Sequence, residues 1–88
     1  MEQKSFTIEG KVQGVGFRQF VLREARAIGV TGFVRNLPDG SVECVARGST
    51  EQLQTLEAQL RQGPPWSQVS FVSSCPDSRN LGPGFRIT

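Results

Sequence analysis

KSFTIEGKVQGVGFRQFVLREARAIG, residues 4–29, changes its periodicity once, and that change decides the fold. Phe6, Ile8 and Val12 alternate with Ser5, Thr7, Glu9 and Lys11, the period-two pattern of a half-buried strand expected over residues 4–12. Gln13-Gly14-Val15-Gly16 is too glycine-rich to continue it. Beyond that break, Phe17, Phe20, Val21, Ala25 and Ile28 fall on one face at helical spacing, so a helix is expected over 17–28. Gly29 supplies its stop.

Working outward, a second strand is expected over 31–36 and a third over 41–47, joined by Leu37-Pro38-Asp39-Gly40. Proline presets φ in that turn, and glycine accepts φ > 0. In the third strand Val42, Cys44 and Ala46 alternate with Glu43, Val45 and Arg47, and the two strands form a hairpin. Gly48 ends it. Ser49 or Thr50 caps a second helix reaching residue 62, with Ser49 and Gln52 at capping-box spacing. Leu53, Leu56 and Leu60 make its apolar stripe, and Gly63-Pro64-Pro65 stops it. A fourth strand is expected over 67–74, a loop over 75–84, and a short last strand over 85–88.

The order β-α-β-β-α-β with an extra strand is α+β: a ferredoxin-like α/β sandwich, or split β-α-β. It implies one antiparallel sheet of four to five strands with two helices on one face. Right-handed crossovers make the first two strands parallel, with the third between them. Their C-terminal ends then share one edge of the sheet with the first helix N-terminus. The Gly14–Gly16 loop and Asn36, distant in sequence, meet there.

The chain has 88 residues, which supports one domain, 1–88. Ten basic and eight acidic residues leave a formal charge of +2, too mild to indicate nucleic acid or a membrane surface as partner. No apolar run approaches a membrane span. The N-terminus is polar and lacks a signal-like stretch, so the cytoplasm is the expected compartment. There is no His and no Tyr, which removes His triads, His metal sites and His acid–base catalysis. Two cysteines cannot make a zinc site, and no metal or cofactor is expected. Cys44 reads as a small core residue and Cys75 as exposed; their pairing is left open.

The chemistry is carried by few residues. Gln13, Gly14, Val15, Gly16, Phe17 and Arg18 link a strand to a helix N-terminus, where backbone N–H groups lack intrahelical partners and the dipole favours an anion. The loop lacks the Gly-Lys-Ser/Thr ending of a Walker loop. On its own it also suits a plain tight turn. Arg18 lies in the first helical turn, where a cation opposes the macrodipole unless an anion sits nearby; its donor fork suits phosphate oxygens. An exposed arginine covering apolar surface is the competing reading. Asn36 closes the second strand beside the turn. It can hydrogen-bond its own turn backbone, or hold a water in one orientation with an amide that both donates and accepts. Arg35 and Arg47 read as solvated strand positions, Arg23 and Glu24 as a solvated helix face, Asp39 as a turn residue, and Trp66 as a core or edge cover.

Gly10-Lys11-Val12-Gln13-Gly14-Val15-Gly16-Phe17-Arg18 resembles the first acylphosphatase signature. Gly32-Phe33-Val34-Arg35-Asn36, followed by Gly40, Val42 and Gly48, resembles the second. The likeness spans residues 4–88. It implies the same fold and a metal-free hydrolase acting on the carboxyl–phosphate anhydride of an acyl phosphate. It further implies that Gln13 to Arg18 cradle the phosphate, that Arg18 binds it, and that Asn36 orients the attacking water. Inorganic phosphate or sulfate would occupy the same site, and a monomer is expected. Three positions depart from the family pattern. Gly16 stands where a side chain is usual, Leu37 where some members have a hydroxyl, and Thr88 replaces a common final tyrosine. The alternatives are a non-catalytic anion- or metabolite-binding module of the same fold, and an RNA-binding domain, for which the sheet lacks paired aromatics.

Overall fold

The computed structural model describes residues 1–88. Its elements are β1 (Glu2–Lys11), α1 (Phe17–Ile28), β2 (Thr31–Asn36), β3 (Val42–Gly48), α2 (Thr50–Gln62), β4 (Gln68–Pro76) and β5 (Phe85–Ile87). The five-stranded sheet has the order β4-β1-β3-β2-β5. β3 pairs antiparallel with both β1 and β2, so β1 and β2 run parallel on either side of it. No helix is long and apolar enough to cross a membrane.

The core lies between the sheet and the helices. Phe6 and Ile8 of β1, Val34 of β2, and Val42, Cys44 and Ala46 of β3 meet Phe17, Val21 and Ala25 of α1 and Leu53, Leu56 and Leu60 of α2. Each fully buried large side chain contributes roughly 1.5–3 kcal/mol. The alternation read from the sequence thus becomes the inward face of the sheet. α2 starts with the capping box: Gln52 N–H donates to Ser49 Oγ at 3.1 Å, and Ser49 N–H to Gln52 Oε1 at 2.9 Å. The Gln52 amide also donates to Ile28 O at 3.1 Å, joining the start of α2 to the end of α1.

Two expectations are corrected. The sheet is mixed, not antiparallel throughout, because β5 pairs parallel with β2. β4 ends opposite Lys4, at the edge where β1 and β2 begin. The chain must cross the sheet along that edge before adding an outer strand, so β5 starts where β2 starts. Trp66 covers nothing; it is 80% exposed in the turn that follows Pro64. The cysteines are both free, Cys44 buried toward the helices and Cys75 exposed on β4, with β1 between their strands.

The crossing segment, residues 77–84, lies against the helix-free side of the sheet. Asp77 N–H donates to Gln3 O, and the Arg79 guanidinium stacks 5.5 Å from the Phe33 ring centroid while pairing with Glu43 at 2.9 Å. Arg35 pairs with the same carboxylate at 2.8 Å. Burial works to raise the Glu43 pKa, but hydrogen bonds from Arg79 and Arg35 outweigh it and hold the carboxyl below its ordinary value of 4.5. In the unfolded chain Glu43 takes up its proton first as pH falls. Its contribution is therefore complete at neutral pH and is lost as pH drops below 4.5 through the folded value. Glu43→Gln is expected to lower the urea midpoint at neutral pH and flatten its decline in acid. Asp77, likewise lowered, supplies a residual slope. An unchanged acid profile would show that the two arginines do not couple Glu43 to folding.

Candidate active site

At the edge where β1 and β2 end and α1 begins lies a cleft of about 350 Å³. Its floor is the loop between β1 and α1. Gly14 (φ +73°) and Gly16 (φ +79°) adopt left-handed conformations, which cost other residues roughly 1–2 kcal/mol. A Cβ on Gly16 would meet open space, so conformation rather than crowding favours glycine there. Gly16 is the N-cap of α1. It brings no side-chain oxygen to cap the helix, and the first turn holds no acid.

The consequence is a row of free donors. The first backbone hydrogen bond of the helix runs from Phe20 N–H to Gly16 O at 3.1 Å. The N–H groups of Gly14, Val15, Gly16, Phe17, Arg18 and Gln19 have no acceptor in the chain. Together with the positive end of the α1 dipole they make a concavity whose charge and donors suit an anion.

Arg18 lies on the cleft wall. It is exposed and belongs to none of the chain's ion pairs, which join Arg35 and Arg79 to Glu43, Arg79 to Asp77 and Arg61 to Glu57. Asn36 lines the same cleft. Strand alternation explains the placement: Val34 points into the core, Arg35 to the far face where it meets Glu43, and Asn36 back to the α1 side. The Asn36 amide makes no hydrogen bond to its own turn. That work is done by Asp39, whose Oδ1 accepts from Ser41 N–H at 3.0 Å and Ser41 Oγ at 2.6 Å.

Not every residue of the expected loop faces the cleft with its side chain. Val15 packs against the core and can offer only its backbone. The Gln13 side chain leaves the cleft, and its Nε2 donates to Leu37 O at 2.8 Å and Ser41 O at 2.9 Å. Conversely, Gln19 and Ile87 line the cleft without having been picked out. Gln19 was legible as the last residue of the uncapped first turn. Ile87 was not, because its place beside Val34 follows from the parallel pairing of β5.

Known proteins share the sequence pattern and the fold of this chain. The acylphosphatase family model matches residues 4–87. An acylphosphatase of Bifidobacterium longum is 52% identical over 71 residues, covering 81% of this chain and 73% of the relative. One from Nitratidesulfovibrio vulgaris is 45% identical over 83 residues, covering 94% and 83%. The crystal structure of acylphosphatase from Bacillus subtilis superimposes with a TM-score of 0.91 at 39% identity, covering 100% of this chain and 99% of that one.

Proposed function

This chain belongs to the acylphosphatase family, and from that premise we propose how its own residues carry the reaction. The protein is an acylphosphatase: it hydrolyses the carboxyl–phosphate anhydride of acyl phosphates to a carboxylate and inorganic phosphate. One observation carries the assignment of roles. Free N–H donors, an arginine without an internal partner and an uncommitted asparagine amide converge on a single cleft.

The phosphoryl group sits on the N–H groups from Gly14 to Gln19, with Arg18 across its outer oxygens. Asn36 holds a water in line with the anhydride. Water oxygen attacks phosphorus, and the P–O bond to the acyl group breaks with its electron pair leaving on the carboxylate. A phosphoryl oxygen takes the water's proton. The leaving carboxylate has a conjugate acid of pKa ~4, so no general acid is needed at neutral pH. Phosphoryl transfer of this kind rests on positioning and charge stabilisation, which donors preset around the phosphoryl oxygens supply. No protein group has to change protonation state, consistent with a chain that contains no histidine.

On this reading the enzyme works as a metal-independent cytoplasmic monomer, with phosphate as both product and site ligand. Hydrolysis of acetyl phosphate is expected to proceed at the same rate before and after exhaustive chelation. Activity lost on chelation and restored by a divalent cation would overturn the metal-free route. A folded protein that bound phosphate without turnover would be a binding module instead.

A further inference from the structure

We infer that the Gln13 side chain is a positioning residue that sets the distance between the phosphate cradle and Asn36; this rests on the roles proposed above. Gln13 opens the loop that becomes the cradle, yet its amide turns to the β2–β3 turn. Both of its neighbours there are carbonyl oxygens, which can only accept, so the atom between them must be the NH2 group, and both of its hydrogens are used. The first carbonyl belongs to Leu37, the residue after Asn36. The second belongs to Ser41, which closes the turn by accepting from Leu37 N–H at 2.9 Å and is itself fixed by Asp39. One side chain therefore clamps both legs of the turn to the start of the cradle.

This clamp matters because, core packing aside, no other hydrogen bond joins the loop from Gln13 to Gln19 to the turn after Asn36. β1 and β2 are not neighbours; β3 lies between them. The cradle follows the last paired residue of β1, Lys11 opposite Gln68, and Asn36 is the last paired residue of β2, opposite Val42, so the sheet ladder goes no further toward either half. Without Gln13 the cradle keeps its donors and Arg18, so phosphate still binds. Asn36, however, loses its fixed offset from the phosphorus. Chemistry that depends on an aligned water then suffers while ground-state binding does not.

The test is Gln13→Met, unbranched and uncharged but without donors, assayed with acetyl phosphate. It is expected to lower kcat about 10–100-fold while the inhibition constant of inorganic phosphate stays within about threefold, as a misplacement of about an ångström would cause. The side-chain amide NMR signal of Asn36 should shift, with the urea midpoint reported alongside. Unchanged kcat, or phosphate affinity falling in step with kcat, would overturn the inference, the second outcome placing Gln13 in the cradle. Should Gln13→Met not fold, Gln13→Asn keeps the amide but cannot span both carbonyls, and the same split is expected of it. Asn36→Ala measured in parallel separates the two failures. If that variant is fully active, the roles proposed for the site are wrong; if it is inactive while Gln13→Met is normal, only the clamp is.

Discussion

Arg18→Ala is expected to lower kcat/KM for acetyl phosphate by about 10³–10⁵-fold, the range removed with an arginine that stabilises a transferring phosphoryl group. Phosphate inhibition should weaken with it, because the same guanidinium binds substrate and product. The fold should not suffer. Arg18 is exposed and makes no ion pair or hydrogen bond within the chain. It lies in the first turn of α1, where its charge opposes the helix dipole. Removing it should leave stability unchanged or raise it by up to ~0.5 kcal/mol. Loss of activity with no loss of stability marks a residue kept for binding. Near-normal kinetics would remove Arg18 from the site, and a large fall in the urea midpoint would make it a structural residue.

The second large effect belongs to Asn36→Ala. Turnover is expected to fall by about 10²–10³-fold or more, the cost of losing one preset polar group at a reacting centre. Inorganic phosphate should still bind, since the cradle and Arg18 remain. The turn should survive, because Asp39 and Gln13 hold it and the Asn36 amide does not. A parallel loss of phosphate binding would place Asn36 on the phosphoryl oxygens rather than on the water. A collapse of folding would return it to the role of a turn residue.

These two variants, with Gln13→Met, form a set with distinct signatures. Arg18→Ala loses binding and rate, whereas Asn36→Ala and Gln13→Met lose rate alone. Glu43→Gln, on the opposite side of the sheet, should change acid stability and leave the kinetics of the folded enzyme intact. The ion-pair network of Glu43, Arg35, Arg79 and Asp77 lies across β3 from the helices, away from the cleft. Arg35 and Asn36 are adjacent in the chain, yet β-strand alternation assigns them to different tasks.

Much of the site was legible because it is built from local signals. Glycines between a period-two and a helical stretch mark a strand-to-helix turn wherever it occurs. An arginine in an acid-free first helical turn singles out a position where a nearby anion would offset its charge. The edge shared by that turn and Asn36 follows from connection handedness alone. The direction of the Gln13 side chain was not legible, since a glutamine beside a glycine loop carries no sign of which distant carbonyls will come within reach. Ile87 could not be placed for the same reason: its neighbour Val34 is far away in sequence.

The sequence by itself thus determined the elements, their order, the parallel relation of β1 and β2, and the meeting of Arg18 with Asn36. These depend on burial periodicity, turn chemistry and the handedness of crossovers, which act within a few residues or hold for every chain. Only the tertiary structure decided that β5 runs parallel to β2, that Trp66 stays in solvent, that Arg79 and Glu43 hold the crossing segment to the sheet, and that Gln13 clamps the turn. Each of these depends on which remote groups arrive at a surface once the sheet has formed, and that is set by packing and hydrogen-bond satisfaction across the whole molecule rather than by any segment of it.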